Sequence, residues 1–114
     1  MKYKFPKRCR LTTEGQFKKV FGARKKITSE ITNIYFCDNN TSHSRLGVIV
    51  PKKNIKKASR RNYLKRIIRE NFRLKRTGLE GKDILIIVNS KKADTVEGKN
   101  LRTIINKQLS KIFI

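Results

Sequence analysis

The stretch from Lys56 to Arg73 limits the fold more than any other part of the chain. At about 100° per residue, Leu64, Ile67, Ile68 and Phe72 fall on one side of a helix and need an apolar surface to cover them. Arg61, Lys65, Arg69 and Arg73 recur every four residues and form a row along another side, flanked by Asn62 and Arg66. The helix is predicted to run from about Ala58 to Lys75. Cations one turn apart lie about 6 Å from each other, which suits the phosphates of a nucleic-acid strand. Arginine adds a planar, two-pronged donor set for phosphate. Asn62 adds an amide that can bond a base, a ribose hydroxyl or a metal-bound water. Glu70 points to the other flank, so no acid neutralises the row. A helix face that is merely solvated usually mixes signs in Glu–Lys pairs, whereas like charges at this spacing repel by a few tenths of a kcal/mol per pair. Residues that break a local rule at a cost in stability tend to mark function. The segment therefore predicts a polyanion-binding helix laid on a core.

The rest of the chain has the same bias. Thirty lysines and arginines against eight acidic residues give a formal charge of +22 on 114 residues, the length of one domain. Such a charge opposes compaction and holds polyanions. Yet 37% of residues are hydrophobic and fall in periodic blocks, which a disordered basic tail would lack. Basic residues occur in every segment, not on one amphipathic helix as in a membrane-surface protein. Nucleic acid is the expected partner, ahead of anionic membrane and acidic protein. No apolar run approaches the roughly 20 residues of a membrane span, and Met1 to Pro6 lack a signal-peptide core. The expectation is a cytoplasmic protein with no membrane partner. Cys9 and Cys37 have no CxxC spacing and read as reduced thiols, not as a zinc site or a disulfide.

Along the chain, residues 1–11 read as a basic, extended arm. Thr13 and Gln16 fit a capping box. Phe17, Val20 and Phe21 then share one face of a short helix that Gly22 can end in a left-handed conformation. Arg24 to Lys26 begin a basic connection. Residues 31–37 read as a strand, 38–44 as a polar turn and 46–50 as a second strand, and the two strands could pair as a hairpin. Lys52 to Lys57 form a basic loop. After the long helix, Gly78 and Gly81 frame a loop, and Asp83 to Val88 read as a strand buried on both faces. Residues 89–94 form a polar loop, and a last helix covers about Glu97 to Ile112. The class is α+β: a small mixed β-sheet covered by helices in α-β-β-α-β-α order, with the three helices able to cover one face. A single RNA-binding domain is expected over 1–114, with the arm over about 1–11.

Arg61-Asn62, followed by Lys65-Arg66 and Arg69 in a basic helix after Val50-Pro51-Lys52-Lys53, resembles the signature of the bacterial ribonuclease P protein family. That signature usually reads Arg-Asn-Arg-x-x-Lys-Arg, and its third position is Tyr63 here. Ala58 matches the small residue before the signature. Arg8 to Leu11 with Phe17 to Phe21 resemble the family's arm and first helix. Tyr35 falls where the family has a strand aromatic, and Asp83-Ile84 fit its third long strand. The resemblance covers nearly the whole chain. It implies a two-layer, ribosomal protein S5 domain 2-like sandwich with a left-handed βαβ crossover, contrary to the usual hand. It also implies a protein subunit that binds the catalytic RNA of ribonuclease P and the 5′ leader of precursor tRNA. The RNA performs the metal-assisted hydrolysis that removes the leader.

Under that resemblance the RNA-binding helix contributes Arg60, Arg61, Asn62, Lys65, Arg66, Arg69 and Arg73. Further basic contacts come from Lys52, Lys53, Lys56, Lys57, Arg8 and Arg10. Phe17, Phe21 and Tyr35 would line a leader cleft, where flat rings stack on bases whatever the sequence, at about 1–3 kcal/mol per base. Two readings of Phe17 and Phe21 stand side by side: ordinary core residues at i, i+4, or one edge packed and one face lining a groove. Tyr63 is either a packing residue or a stacking platform. The acidic residues are scattered, with no pair at metal-ligand spacing, and His43 is the sole histidine. No catalytic residue and no metal ligand is therefore assigned. Mg²⁺ is expected in the ribonucleoprotein, held mainly by RNA, and no obligate protein partner is expected. The alternative is a non-catalytic, ribosomal-type structural RNA-binding protein, which composition alone does not separate from the first reading. A standalone nuclease would need a catalytic constellation that the sequence lacks.

Overall fold

The computed structural model describes residues 10–11, 13–23, 25–75 and 78–113. The elements are α1 (Glu14–Gly22), β1 (Lys26–Thr28), β2 (Thr32–Asp38), β3 (Arg45–Ile49), α2 (Ala58–Lys75), β4 (Lys82–Val88) and α3 (Gly98–Ser110), with 3-10 turns at Lys91–Asp94 and Lys111–Phe113. The fold is α+β with a small mixed sheet, and it has one strand more than the expected order. That strand, β1, occupies what reads in the sequence as a basic connection. It is three residues long and only Ile27 leans inward, so it carries no alternation to be read. The arm expected over residues 1–11 lies largely outside the described residues.

Burial explains the strand order. In β4, Ile84, Ile86 and Val88 are buried on one face, and Asp83 and Leu85 on the other. A strand covered on both faces belongs in the middle of a sheet. The order is β1-β2-β4-β3, with β2 antiparallel and β3 parallel to β4. The β2–β3 hairpin suggested by the sequence does not form, because β4 takes the place between them. α2 makes the crossover from β3 to β4. Outside β3, Arg10 bridges in parallel to Leu46, and the Leu11 N–H donates to the Leu46 carbonyl at 3.0 Å.

Alternation then assigns the two faces. Ile34, Leu46, Ile84 and Ile86 meet Leu64, Ile67, Ile68 and Phe72 of α2 and Leu101, Ile105 and Leu109 of α3 in the main core. On the other face, Val20 of α1 packs with Leu11, Cys37 and Leu85, bordered by Phe17, Tyr35 and Ile87. The three helices therefore do not share one face: β4 presents apolar side chains to both, and α1 covers the second. Burial raises the Cys37 thiol above its ordinary pKa there. The capping box of Thr13 and Gln16 forms as expected. α1 ends differently, through Ala23 in a right-handed conformation. The Ala23 N–H donates to the Val20 carbonyl in a tightened last turn, so no left-handed residue is required.

Two buried polar groups tie the periphery to this frame. Gln108 of α3 donates to the carbonyls of Ile27 and Thr32, both at 3.0 Å, and accepts from the Thr32 hydroxyl at 2.6 Å. That clamps the β1–β2 turn onto α3. Asp83, fully buried, takes both prongs of Arg45 at 2.7 and 2.8 Å and the Asn39 amide at 2.9 Å. The hydrogen bond to Asp83 raises the Arg45 pKa still further. Asn39 also accepts from Thr41 and donates to the His43 carbonyl, so the 39–44 turn is folded over the start of β4. Arg45→Ala leaves the Asp83 carboxylate buried with only an amide beside it. We expect a loss of about 3 kcal/mol in urea unfolding, and a loss under about 1 kcal/mol would show that this pair does not hold the turn.

Candidate nucleic-acid interface

β3 and β4 run parallel, so the loops that follow them leave the sheet at one end, where α2 begins. Lys52, Lys53, Lys56 and Lys57 are all exposed in the first of these loops. The loop is anchored by buried Ile55 and by the Asn54 amide, which donates to the Val88 carbonyl at 3.0 Å. α2 spans Ala58–Lys75, the range its periodicity predicts. Its apolar side faces the core, and its other flank meets α3, where Arg102 lies 3.6 Å from Glu70. The predicted row of Arg61, Lys65, Arg69 and Arg73 is half-buried along the flank away from α3, while Asn62 and Arg66 stand exposed on the outward face. Arg61 Nη1 donates to the carbonyls of Ile55 and Lys56 at 2.9 and 2.8 Å, which keeps its guanidinium at the start of the helix.

Arg60 departs from the others. Its Nη2 donates to the carbonyls of Ala93 and Val96 at 3.0 and 2.6 Å, so this guanidinium is turned onto the loop after β4. A helical wheel places Arg60 near the core edge, but not the reach of its side chain. Arg10 is exposed beside the outer edge of β3, and Arg8 lies outside the described residues.

The three aromatic residues gather on the opposite face of the sheet. α1 is too short to cover that face, and it leaves a groove of about 320 Å³ lined by Phe17, Lys18, Phe21 and Gly22 of α1 and by Ile49, Leu85 and Ile87 of the sheet. Phe21 is 55% exposed, and its ring stacks on Tyr35 with centroids 4.8 Å apart and planes inclined by 27°. Tyr35 thus backs Phe21, with the Lys26 ammonium 5.8 Å from its centroid. Phe17 is half-buried and seated on β3 against Gly47. A Cβ at Gly47 would lie 2.7 Å from the nearest carbon of the Phe17 ring. Phe17 therefore does both jobs the sequence left open, packing with one edge and lining the groove, whereas Phe21 is mostly groove. Sequence reasoning passed over Gly47 and Ile49. A glycine inside a strand was the available signal, because it often marks close approach by another group.

Among the described residues no three histidine, cysteine, aspartate or glutamate side chains come together as metal ligands. Asp83, Asp38, Glu14, Glu70 and Glu97 each lie beside a cation.

Residues 5–112 match the Ribonuclease P family. The ribonuclease P protein component of Coxiella burnetii is 34% identical over 105 residues, which is 90% of this chain and 84% of that one. The component of Photobacterium profundum is 39% identical over 106 residues, 93% and 89% of the two chains. Among solved structures, the RNase P protein of Staphylococcus aureus superposes with a TM-score of 0.83 at 27% identity, over 91% of this chain and 94% of that one. That of Thermotoga maritima gives 0.71 at 32% identity, over 91% and 94%.

Gly47 offers a direct check on the groove. Gly47→Ala drives a methyl into the Phe17 ring, and we expect a loss of about 1–3 kcal/mol. Gly15→Ala on α1, with open space around it, should instead stabilise by about 0.5–1 kcal/mol. Equal midpoints for the two variants in thermal unfolding would mean that Phe17 is not seated on β3.

Proposed function

The chain belongs to the ribonuclease P protein family, and on that premise we propose that it is the protein subunit that binds the catalytic RNA and the 5′ leader of precursor tRNA. The observation that carries this is the division of the sheet: a cation-lined helix on one face, and on the other an aromatic groove too open to be core. The two surfaces have different chemistry. The row of Arg61, Lys65, Arg69 and Arg73, with Asn62 and Arg66 beside it and Lys52, Lys53, Lys56 and Lys57 at its start, takes phosphates of folded RNA. Displacing counterions from that RNA supplies affinity without sequence preference. The groove takes unpaired leader nucleotides, because rings offer a stacking face to any base. Ile49 and the methylene stem of Lys18 complete its apolar walls.

Under this reading the protein contributes no group to bond breaking. It shields the repulsion between two polyanions and holds the leader, while the RNA performs the hydrolysis with Mg²⁺ that it holds mainly itself. A cytoplasmic setting follows from such partners. No described helix is long and apolar enough to cross a membrane. Arg60, a member of the expected RNA-binding set, also ties the helix to the backbone of the loop after β4.

The test is reconstitution with a bacterial ribonuclease P RNA at low Mg²⁺. The full chain should restore cleavage of precursor tRNA, and neither component should cleave alone under those conditions. Cleavage by highly purified protein without RNA would overturn the reading. Within the reconstituted enzyme, Phe21→Leu should weaken leader-bearing precursor several-fold and leave mature tRNA binding nearly unchanged. Equal losses on both would remove the leader from the groove. Lys65→Ala and Arg69→Ala should each reduce the salt dependence of RNA binding by about 0.7–0.9 in log–log slope. An unchanged slope would make the row a solvated face.

A further inference from the structure

Tyr63 interrupts the cations of α2, and neither the phosphate row nor the groove uses it. Its ring is half-buried. One turn before it, the Arg60 guanidinium carbon lies 5.0 Å from the ring centroid; one turn after it, that of Arg66 lies at 5.6 Å. Both are within the range at which an aromatic ring attracts a cation. The two arginines are not equivalent. Arg60 is half-buried and committed to the carbonyls of Ala93 and Val96. Arg66 is exposed and, with Ser59, Asn62 and Tyr63, borders an open concavity of about 440 Å³. On its α3 side the ring meets Gly98. A Cβ at Gly98 would lie 2.7 Å from the Tyr63 hydroxyl oxygen and 3.1 Å from Ile67 Cδ1, so the first turn of α3 sits close against the hydroxyl end of the side chain. Tyr63 thus packs between Arg60 and the Gly98 backbone, with the Arg66 guanidinium one turn further along the helix.

We propose that Tyr63 is a positioning residue for RNA: it holds the Arg66 guanidinium in place, and the concavity over Ser59 and Asn62 receives one unpaired nucleotide that Arg66 contacts. An arginine loose on a helix surface loses rotamer freedom when it binds, and one already stacked has less to lose. A guanidinium plane stacks on a base while its N–H edge reaches phosphate. Asn62 supplies an amide donor and acceptor for the base edge or the ribose hydroxyl. This inference rests on the RNA-binding reading of α2.

The experiment is a double-mutant cycle in binding of the full chain to a bacterial ribonuclease P RNA, at several salt concentrations. Tyr63→Leu should weaken binding roughly two- to fivefold, the fold-change of an exposed cation–π contact. It should add no further loss in the Arg66→Ala background. Tyr63→Phe, which keeps the ring, should bind as the unaltered chain does. Arg66→Ala should reduce the salt slope by about 0.7–0.9 while Tyr63→Leu leaves it unchanged. Multiplying losses, or no loss for Tyr63→Leu, overturns the proposal. So does an inert Arg66→Ala when Lys65→Ala still lowers the slope, and in that outcome the RNA-binding reading survives. Failure of the unaltered chain to bind the RNA sinks the reading itself. Should Tyr63→Leu fail to fold, NMR relaxation of the Arg66 side chain in the free protein decides: an Arg66 Nε–H as mobile as that of an unstacked surface arginine overturns the proposal, and a restrained one supports it.

Discussion

β4 carries apolar side chains to both faces of the sheet, so both faces have to be covered, and everything else in the architecture answers to that requirement. Two helices, α2 and α3, cover the centre of one face. The other receives only α1, nine residues long. Such a helix can bury Val20 and seat one edge of Phe17 on Gly47 of β3, but it leaves Ile49 and Ile87 without a cover. The groove is what remains uncovered. Its apolar character follows from the same cause, because Leu85 and Ile87 belong to the strand that sets the centre of the sheet. A groove of this kind needs no insertion or special loop, only a covering helix shorter than the sheet is wide.

The cationic helix obeys a different balance. Packing of Leu64, Ile67, Ile68 and Phe72 fixes which side of α2 faces inward, and the cations are left to the remaining arc. Several of them are not simply extended into water. Arg61 bonds the backbone that precedes the helix, Arg60 bonds the loop after β4, and Arg66 lies near Tyr63. In the row, Arg61 meets carbonyl dipoles, and beside the row Arg66 meets a ring quadrupole. The surface therefore keeps its positive sign while several of its side chains are held in place. Pre-ordered donors lose less freedom on binding than free ones.

The extent of α2, its two sides, the capping box of α1 and the doubly buried β4 were legible in the sequence because each is a local, periodic pattern. Strand pairing was not. Nothing in residues 31–50 distinguishes a hairpin from two strands separated by a later one. That outcome depends on β4, which begins only at Lys82 and is more apolar on both sides than either. β1 was invisible because one inward residue makes no alternation. The cover of the second face by α1 follows only once β4 is known to be central. At the candidate interface, spacing located the row and put Phe17 and Phe21 on one helix face, and the family resemblance added Tyr35. The destination of a long side chain such as Arg60 was not recoverable from spacing. Gly47 was visible as a residue, yet its meaning depended on Phe17 arriving from another element.

The bonds from Arg60 to Ala93 and Val96 end on main-chain oxygens, which every amino acid possesses. The orientation of the basic helix is thereby made independent of the exposed side chains at 91, 92, 94 and 95, while Ala93, buried in the main core, and Val96, packed against it, keep the backbone path. That loop can drift in sequence, exchanging one exposed residue for another, without tilting the helix beside it. Surface variation and a constant docking angle are compatible in this scaffold because the tether ignores what the genetic code writes at those positions.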